Sequence, residues 1–154
     1  MQAELTIEIL PSELVQVVEA VFATMLSLEV VESGTAWFPS DDRLTAWINL
    51  TGQWNGEVVL ECDGMQACRL AGRFLSSEPL DGVDEVVRDV LAELVNMVGG
   101  NLKCVLSRGI LLSEPSVADG SGYRLPASEA HVRQRAAFQS SEGTFWVTIL
   151  GGRE

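Results

Sequence analysis

Positive charge is scarce in this chain. Ten Lys and Arg stand against 22 Asp and Glu, for a net charge of −12, and there is one histidine. A surface that acidic repels phosphate backbones and anionic lipid headgroups, which argues against nucleic-acid and membrane partners. No apolar run reaches the roughly 18–20 residues of a membrane span, so a membrane protein is not expected. The opening stretch MQAELTIEIL has no basic segment and contains Glu4 and Glu8, unlike a secretory signal. The three cysteines, Cys62, Cys68 and Cys104, form no C-x-x-C pair, and a single histidine cannot complete a zinc tetrad. They read as reduced, mostly buried packing residues in a reducing compartment, which places the protein in the cytoplasm and leaves this chain without a metal. No Ser-His-Asp or Cys-His arrangement and no phosphate-cradling glycine loop is evident. The one basic cluster, Arg133 and Arg135 beside His131, reads as the solvated face of a strand.

What is present suits one folded domain spanning residues 1–154. The length allows a sizeable core, and 47% of residues are hydrophobic. Pro11 and Ser12 open a helix whose apolar face is Leu14, Val15, Val18, Val21, Phe22 and Met25. Leu28 to Val31 reads as a short strand, followed by turns between Ser33 and Asp42. Arg43 to Thr51 alternates, with Leu44, Ala46, Ile48 and Leu50 pointing one way. The connection Gly52-Gln53-Trp54-Asn55-Gly56 leads to a second strand, Glu57 to Cys62. Asp63 or Gly64 then caps a short helix carrying Met65, Cys68, Leu70, Ala71 and Leu75. Asp84 to about Leu106 is the longest helix. Pro115 to Pro126 reads as a loop or two short strands, and Ala130 to Leu150 as a hairpin turning at Ser140–Gly143. The fold class is α+β, with a largely antiparallel sheet and the long helices on one side.

The long helix carries a polar stripe. Asp89, Glu93, Asn96 and Gly100 recur at three- and four-residue spacing and so share a face, with Lys103 close by. Val87, Leu91, Leu94, Val98, Leu102 and Val105 form the opposite, core-facing side. A polar stripe is ordinarily just a solvated face. Two features set this one apart. Gly99 and Gly100 sit inside the helix, where each glycine costs about 1 kcal/mol relative to alanine. Asn96, a poor helix former, lies mid-helix. A carboxylate, an amide and a bare patch of backbone together make a strip on which another protein could dock.

The run Asp89-Val-Leu-Ala-Glu93-Leu-Val-Asn96-Met-Val-Gly-Gly100-Asn101-Leu-Lys103 resembles the signature helix of the CheC/CheX/FliY phosphatases, in which Glu is followed three residues on by Asn and then by glycine. The turn Gly52-Gln53-Trp54-Asn55-Gly56, the segment Met25 to Val30 and the stretch Leu111 to Ser116 are similar as well. One motif helix is the CheX pattern. The first helix echoes the long one, Ser12 to Val18 against Ala92 to Val98, with Gln16 in place of the asparagine; it resembles a degenerate, non-catalytic copy from an internal duplication.

The resemblance implies a phosphatase that hydrolyses the aspartyl phosphate of a CheY-like response regulator. Asn96 would orient the attacking water and Glu93 would bind the receiver's lysine. Asp89, Gly99, Gly100 and Lys103 would be partner contacts. Mg2+ would sit on the receiver and no cofactor on this chain. A homodimer is implied, and salt-sensitive association follows from the charge. Two other readings stay open: a non-catalytic regulator-binding or assembly module related to flagellar switch proteins, and a ligand sensor closed by the 119–122 loop.

Overall fold

A computed structural model of the chain describes residues 9–52, 54–106, 109–119 and 132–151. In chain order these form α1 (Pro11–Leu26), β1 (Val31–Ser33), β2 (Arg43–Gly52), β3 (Gly56–Asp63), α2 (Gly64–Phe74), α3 (Glu85–Val105), β4 (Ile110–Leu112), β5 (Ser116–Asp119), β6 (Val132–Ser140) and β7 (Gly143–Gly151). The ladders between the seven strands are all antiparallel. The order is β1-β6-β7-β3-β2-β4, with β5 also paired to β2. The glycine-rich stretch beyond Asp119, together with Arg108 and His131, lies outside the described residues, and so does most of the loop on which the ligand-sensor reading depends.

Side-chain alternation decides which face of the sheet is covered. On β2, Leu44, Ala46, Ile48 and Leu50 are all buried, as the alternating pattern requires. They join Val58, Leu60 and Cys62 of β3 and Phe145, Val147 and Ile149 of β7. Against this face lie Leu14, Val18 and Phe22 of α1, Leu70 and Ala71 of α2, and Leu91, Leu94, Val98 and Leu102 of α3, in one continuous core. Stacking of Phe22, Phe145 and Phe138, with successive centroids 4.6 and 5.3 Å apart, joins α1 to the β6–β7 hairpin. The helix starts follow their sequence signals: Asp63 accepts from the Gln66 amide and Asp84 from the Val87 amide.

Several expectations need correction. The strand after α1 is Val31–Ser33; Leu28 and Val30 instead bury their side chains in the core as the chain leaves the helix. The second helix ends at Phe74, so Leu75 lies just past it; both Met65 and Leu75 are exposed. Val105 is exposed because the last turn of α3 is less covered than its middle. Cys62 and Cys68 are buried, and burial pushes both thiols up, which keeps them protonated and unreactive. Cys104 is exposed.

The other face of the sheet carries polar groups that are nevertheless buried. Glu61 Oε1 accepts from Arg43 Nη1 at 3.1 Å and from Trp37 Nε1 at 2.6 Å. The Arg43 guanidinium lies 4.4 Å from the Trp146 ring centroid, and Trp146 Nε1 donates to the Thr35 carbonyl. These contacts pin the connection between β1 and β2 onto the sheet. Arg135, expected on a solvated face, is instead half-buried; it lies 4.3 Å from the Trp37 ring centroid and donates to Thr148 Oγ1. Removing one partner of a buried ion pair strands the other charge. Glu61→Ala is therefore expected to cost about 3–5 kcal/mol, whereas Trp37→Phe, which deletes one hydrogen bond, should cost about 1 kcal/mol. Urea denaturation midpoints compared at constant slope check this.

Candidate functional site

α3 contacts both other helices and lies on β2, β3, β4 and β5. Its neighbours leave little of it uncovered. Between Val86 and Asn96 only Val86, Asp89 and Glu93 are exposed, and Asn96 is half-buried. The helix opens to solvent as a narrow stripe, along which Asp89, Glu93, Asn96, Gly100 and Lys103 succeed one another turn by turn. Glu93 and Asn96 are one turn apart and project to the same side.

The polar groups on this stripe are unengaged. None of the Asp89, Glu93, Asn96 and Lys103 side chains has a hydrogen-bond or ion-pair partner among the described residues. The neighbouring Asn101 donates to the Met97 carbonyl at 2.7 Å and is spent on its own helix. Arg88, beside the stripe, pairs with Asp119 at 2.7 Å and ties α3 to β5. A free carboxylate and a free amide held on a packed helix can take a partner's groups without first breaking contacts of their own.

The two glycines have different roles. A Cβ on Gly99 would stand 3.0 Å from Ile48 Cγ2 and 3.6 Å from Leu112 Cδ2. Gly99 is buried, and its missing side chain lets α3 settle onto β2. The structure thus moves Gly99 from the docking strip to the helix–sheet contact. A Cβ on Gly100 would meet only Leu112 Cδ1, at 3.9 Å, an ordinary contact. The chain's own packing does not require a glycine there.

The helix that echoes α3 is built differently. In α1 the position matching Glu93 is Glu13, whose Oε1 accepts the Leu10 amide at 2.8 Å. Its acid caps its own helix. Gln16 is exposed, and the glycine positions are occupied by Glu19 and Ala20.

Residues 44–137, more than half of the chain, match the family model described as Chemotaxis phosphatase CheX. The chain belongs to the CheX family. The matched segment contains β2, β3, α2, α3 and the whole stripe. Solved structures share the fold. CheX from Vibrio vulnificus is 24% identical, with a TM-score of 0.75 over 92% of this chain and 95% of that one. CheX from Borrelia burgdorferi, solved as a CheX–CheY–BeF3–Mg2+ complex, is 18% identical, with a TM-score of 0.72 over 91% and 96% of the two chains. FliY from Thermotoga maritima is 12% identical, with a TM-score of 0.64 over 90% and 84%. A different curated relative, the D-xylose-proton symporter-like 1 protein of Arabidopsis thaliana, is 32% identical over 103 residues. That stretch is 64% of this chain and spans 20% of the symporter. Among the described residues no helix is long and apolar enough to cross a membrane.

The glycines provide a stability test with opposite signs. Gly99→Leu should destabilise the fold by about 1–3 kcal/mol through overpacking against Ile48. Gly100→Ala should stabilise it by up to about 1 kcal/mol, the helix-propensity gain. Thermal melts of the two variants beside the parent chain check both.

Proposed function

We propose that this chain hydrolyses the aspartyl phosphate of a CheY-like receiver domain, with Glu93 and Asn96 as the residues that act. The observation that carries the reading is the unpartnered pair of an exposed Glu93 and a half-buried Asn96 on α3 of a chain that belongs to the CheX family. The complex of the Borrelia relative with CheY, BeF3 and Mg2+ supports a receiver as the partner.

An acyl phosphate is labile, so acceleration requires little more than a water placed in line with the breaking P–O bond. The Asn96 amide suits this: its oxygen accepts from the water while its nitrogen donates, and it brings no negative charge to a phosphoryl group. Its half-buried setting limits the rotamers it can explore. Glu93, one turn earlier and exposed, pairs with the receiver's lysine and sets the register of the two proteins. Asp89 and Lys103 add contacts at the rim, and Gly100 leaves room for the partner's backbone. Among the described residues no cluster of His, Cys, Asp and Glu could hold a metal ion. In this reading the Mg2+ belongs to the receiver's own site. The cytoplasm and a homodimer belong to the same proposal; β1 and β4 end the main strand path and offer edges for a second copy.

Asn96→Ala should abolish acceleration of receiver dephosphorylation while leaving complex formation near the wild-type level. Glu93→Ala should weaken the complex, and Gly100→Ala should slow turnover without loss of fold. Single-turnover decay of a phosphorylated receiver, with binding measured separately, checks each. Unchanged acceleration by Asn96→Ala would remove the amide from the mechanism, and binding without acceleration by the wild-type chain would favour a non-catalytic module.

A further inference from the structure

The polar stripe of α3 continues past Asp89 in an apolar direction. Val86 is two turns before Glu93 and falls on the same side of the helix. It is 44% exposed. Val83, just before the Asp84 cap, is 38% exposed, and Met65, second residue of α2, is 69% exposed. The starts of α2 and α3 lie side by side, for the Val83 Cγ2 atom sits 3.4 Å from where a Cβ on Gly64 would be. Three aliphatic side chains are thus left open at one end of the stripe. Their own core has no use for them, since both helices already bury another face.

Carboxylates are plentiful close to this patch in sequence: Asp81, Glu85, Asp89 and Glu93, besides Asp84, which caps α3. The nearby Arg88 is already paired with Asp119. An apolar spot with acids close by in the chain fits a partner surface with an apolar side chain among lysines or arginines, and it disfavours an acidic surface such as a second copy of this chain.

We propose that Met65, Val83 and Val86 form an anchor patch that grips the phosphorylated receiver beside the Glu93–Asn96 pair and supplies affinity, not chemistry. The inference rests on the reading of the stripe as a receiver-docking site. A few well-placed apolar side chains at the centre of an interface carry much of its binding energy, while rim acids set its salt dependence. The nearest member of the patch, Val86, lies nearly three turns from Asn96, so losing the patch weakens binding without disturbing the attacking water.

The test uses the full chain and a CheY-type receiver activated with beryllofluoride for binding, or phosphorylated for turnover. The double variant Met65→Ser/Val86→Ser is expected to weaken binding to the activated receiver about tenfold, equivalent to about 1.4 kcal/mol. KM should rise by a similar factor, with kcat and the melting temperature close to those of the parent. Higher salt should weaken binding by the parent chain. The inference is overturned if the double variant binds like the parent, if kcat falls while KM is unchanged, or if the only effect is a change in self-association by sedimentation. Asn96→Ala in the same binding assay separates the two ideas. An active Asn96→Ala variant sinks the catalytic assignment, whereas undiminished binding by Met65→Ser/Val86→Ser sinks the anchor patch alone.

Discussion

The rotation of α3 about its own axis decides what this protein can present to a partner. That rotation is set where Gly99 meets Ile48 of β2, at a separation a side chain would strain. With the contact made, Leu91, Leu94, Val98 and Leu102 must point into the sheet. The residues three and four apart on the far side are then bound to point out. Turning the helix by one residue would bring Glu93 or Asn96 toward the apolar core, where an unpaired carboxylate or amide costs several kcal/mol. Core packing and the exposure of the Glu93–Asn96 pair are therefore one constraint seen from two sides.

The opposite face of the sheet contributes in a different way. Its buried Arg43–Glu61 pair is ringed by Trp37, Phe38 and Trp146. A pair of this kind adds little net stability over apolar packing, yet it punishes any rearrangement that separates its members. Since Trp37 donates to the same carboxylate, the connection between β1 and β2 is fixed to the sheet at that point. β2 and β3, joined across the sheet by this diagonal pair, are the strands on which α3 rests. The polar layer stiffens the platform from below while the core holds the helix from above.

Periodicity made much of this architecture legible. The alternation of β2, the caps at Asp63 and Asp84 and the long run of α3 each follow from local rules, and each is found where those rules put it. The stripe was legible for the same reason, because helical spacing alone puts Asp89, Glu93, Asn96 and Gly100 together. What local rules cannot see is contact between distant segments. Helical spacing sets Gly100 on the stripe and Gly99 off it, but only the position of Ile48, some fifty residues earlier, shows that Gly99 has to be bare for the helix to reach the sheet. Arg43 and Glu61 gave no signal because their pairing depends on strand register. Met65 was legible only as an apolar residue of its helix, and which part of that helix faces outward depends on the neighbouring helix.

The comparison of α1 with α3 shows how one of two similar helices could keep a docking surface and the other lose it. Both bury leucine and valine at matching positions, Leu14 with Leu94 and Val18 with Val98, so both serve the core equally. They differ on the outward side. In α1 the acid is drawn into the cap at Leu10, the amide is a longer glutamine, and Ala20 stands where α3 has the bare backbone of Gly100. A glutamine has one more rotatable bond to immobilise before it can hold a water in place. Each difference is small for stability and large for recognition. Selection on the core alone would therefore preserve both helices, and only selection on a partner would preserve the outward face of α3.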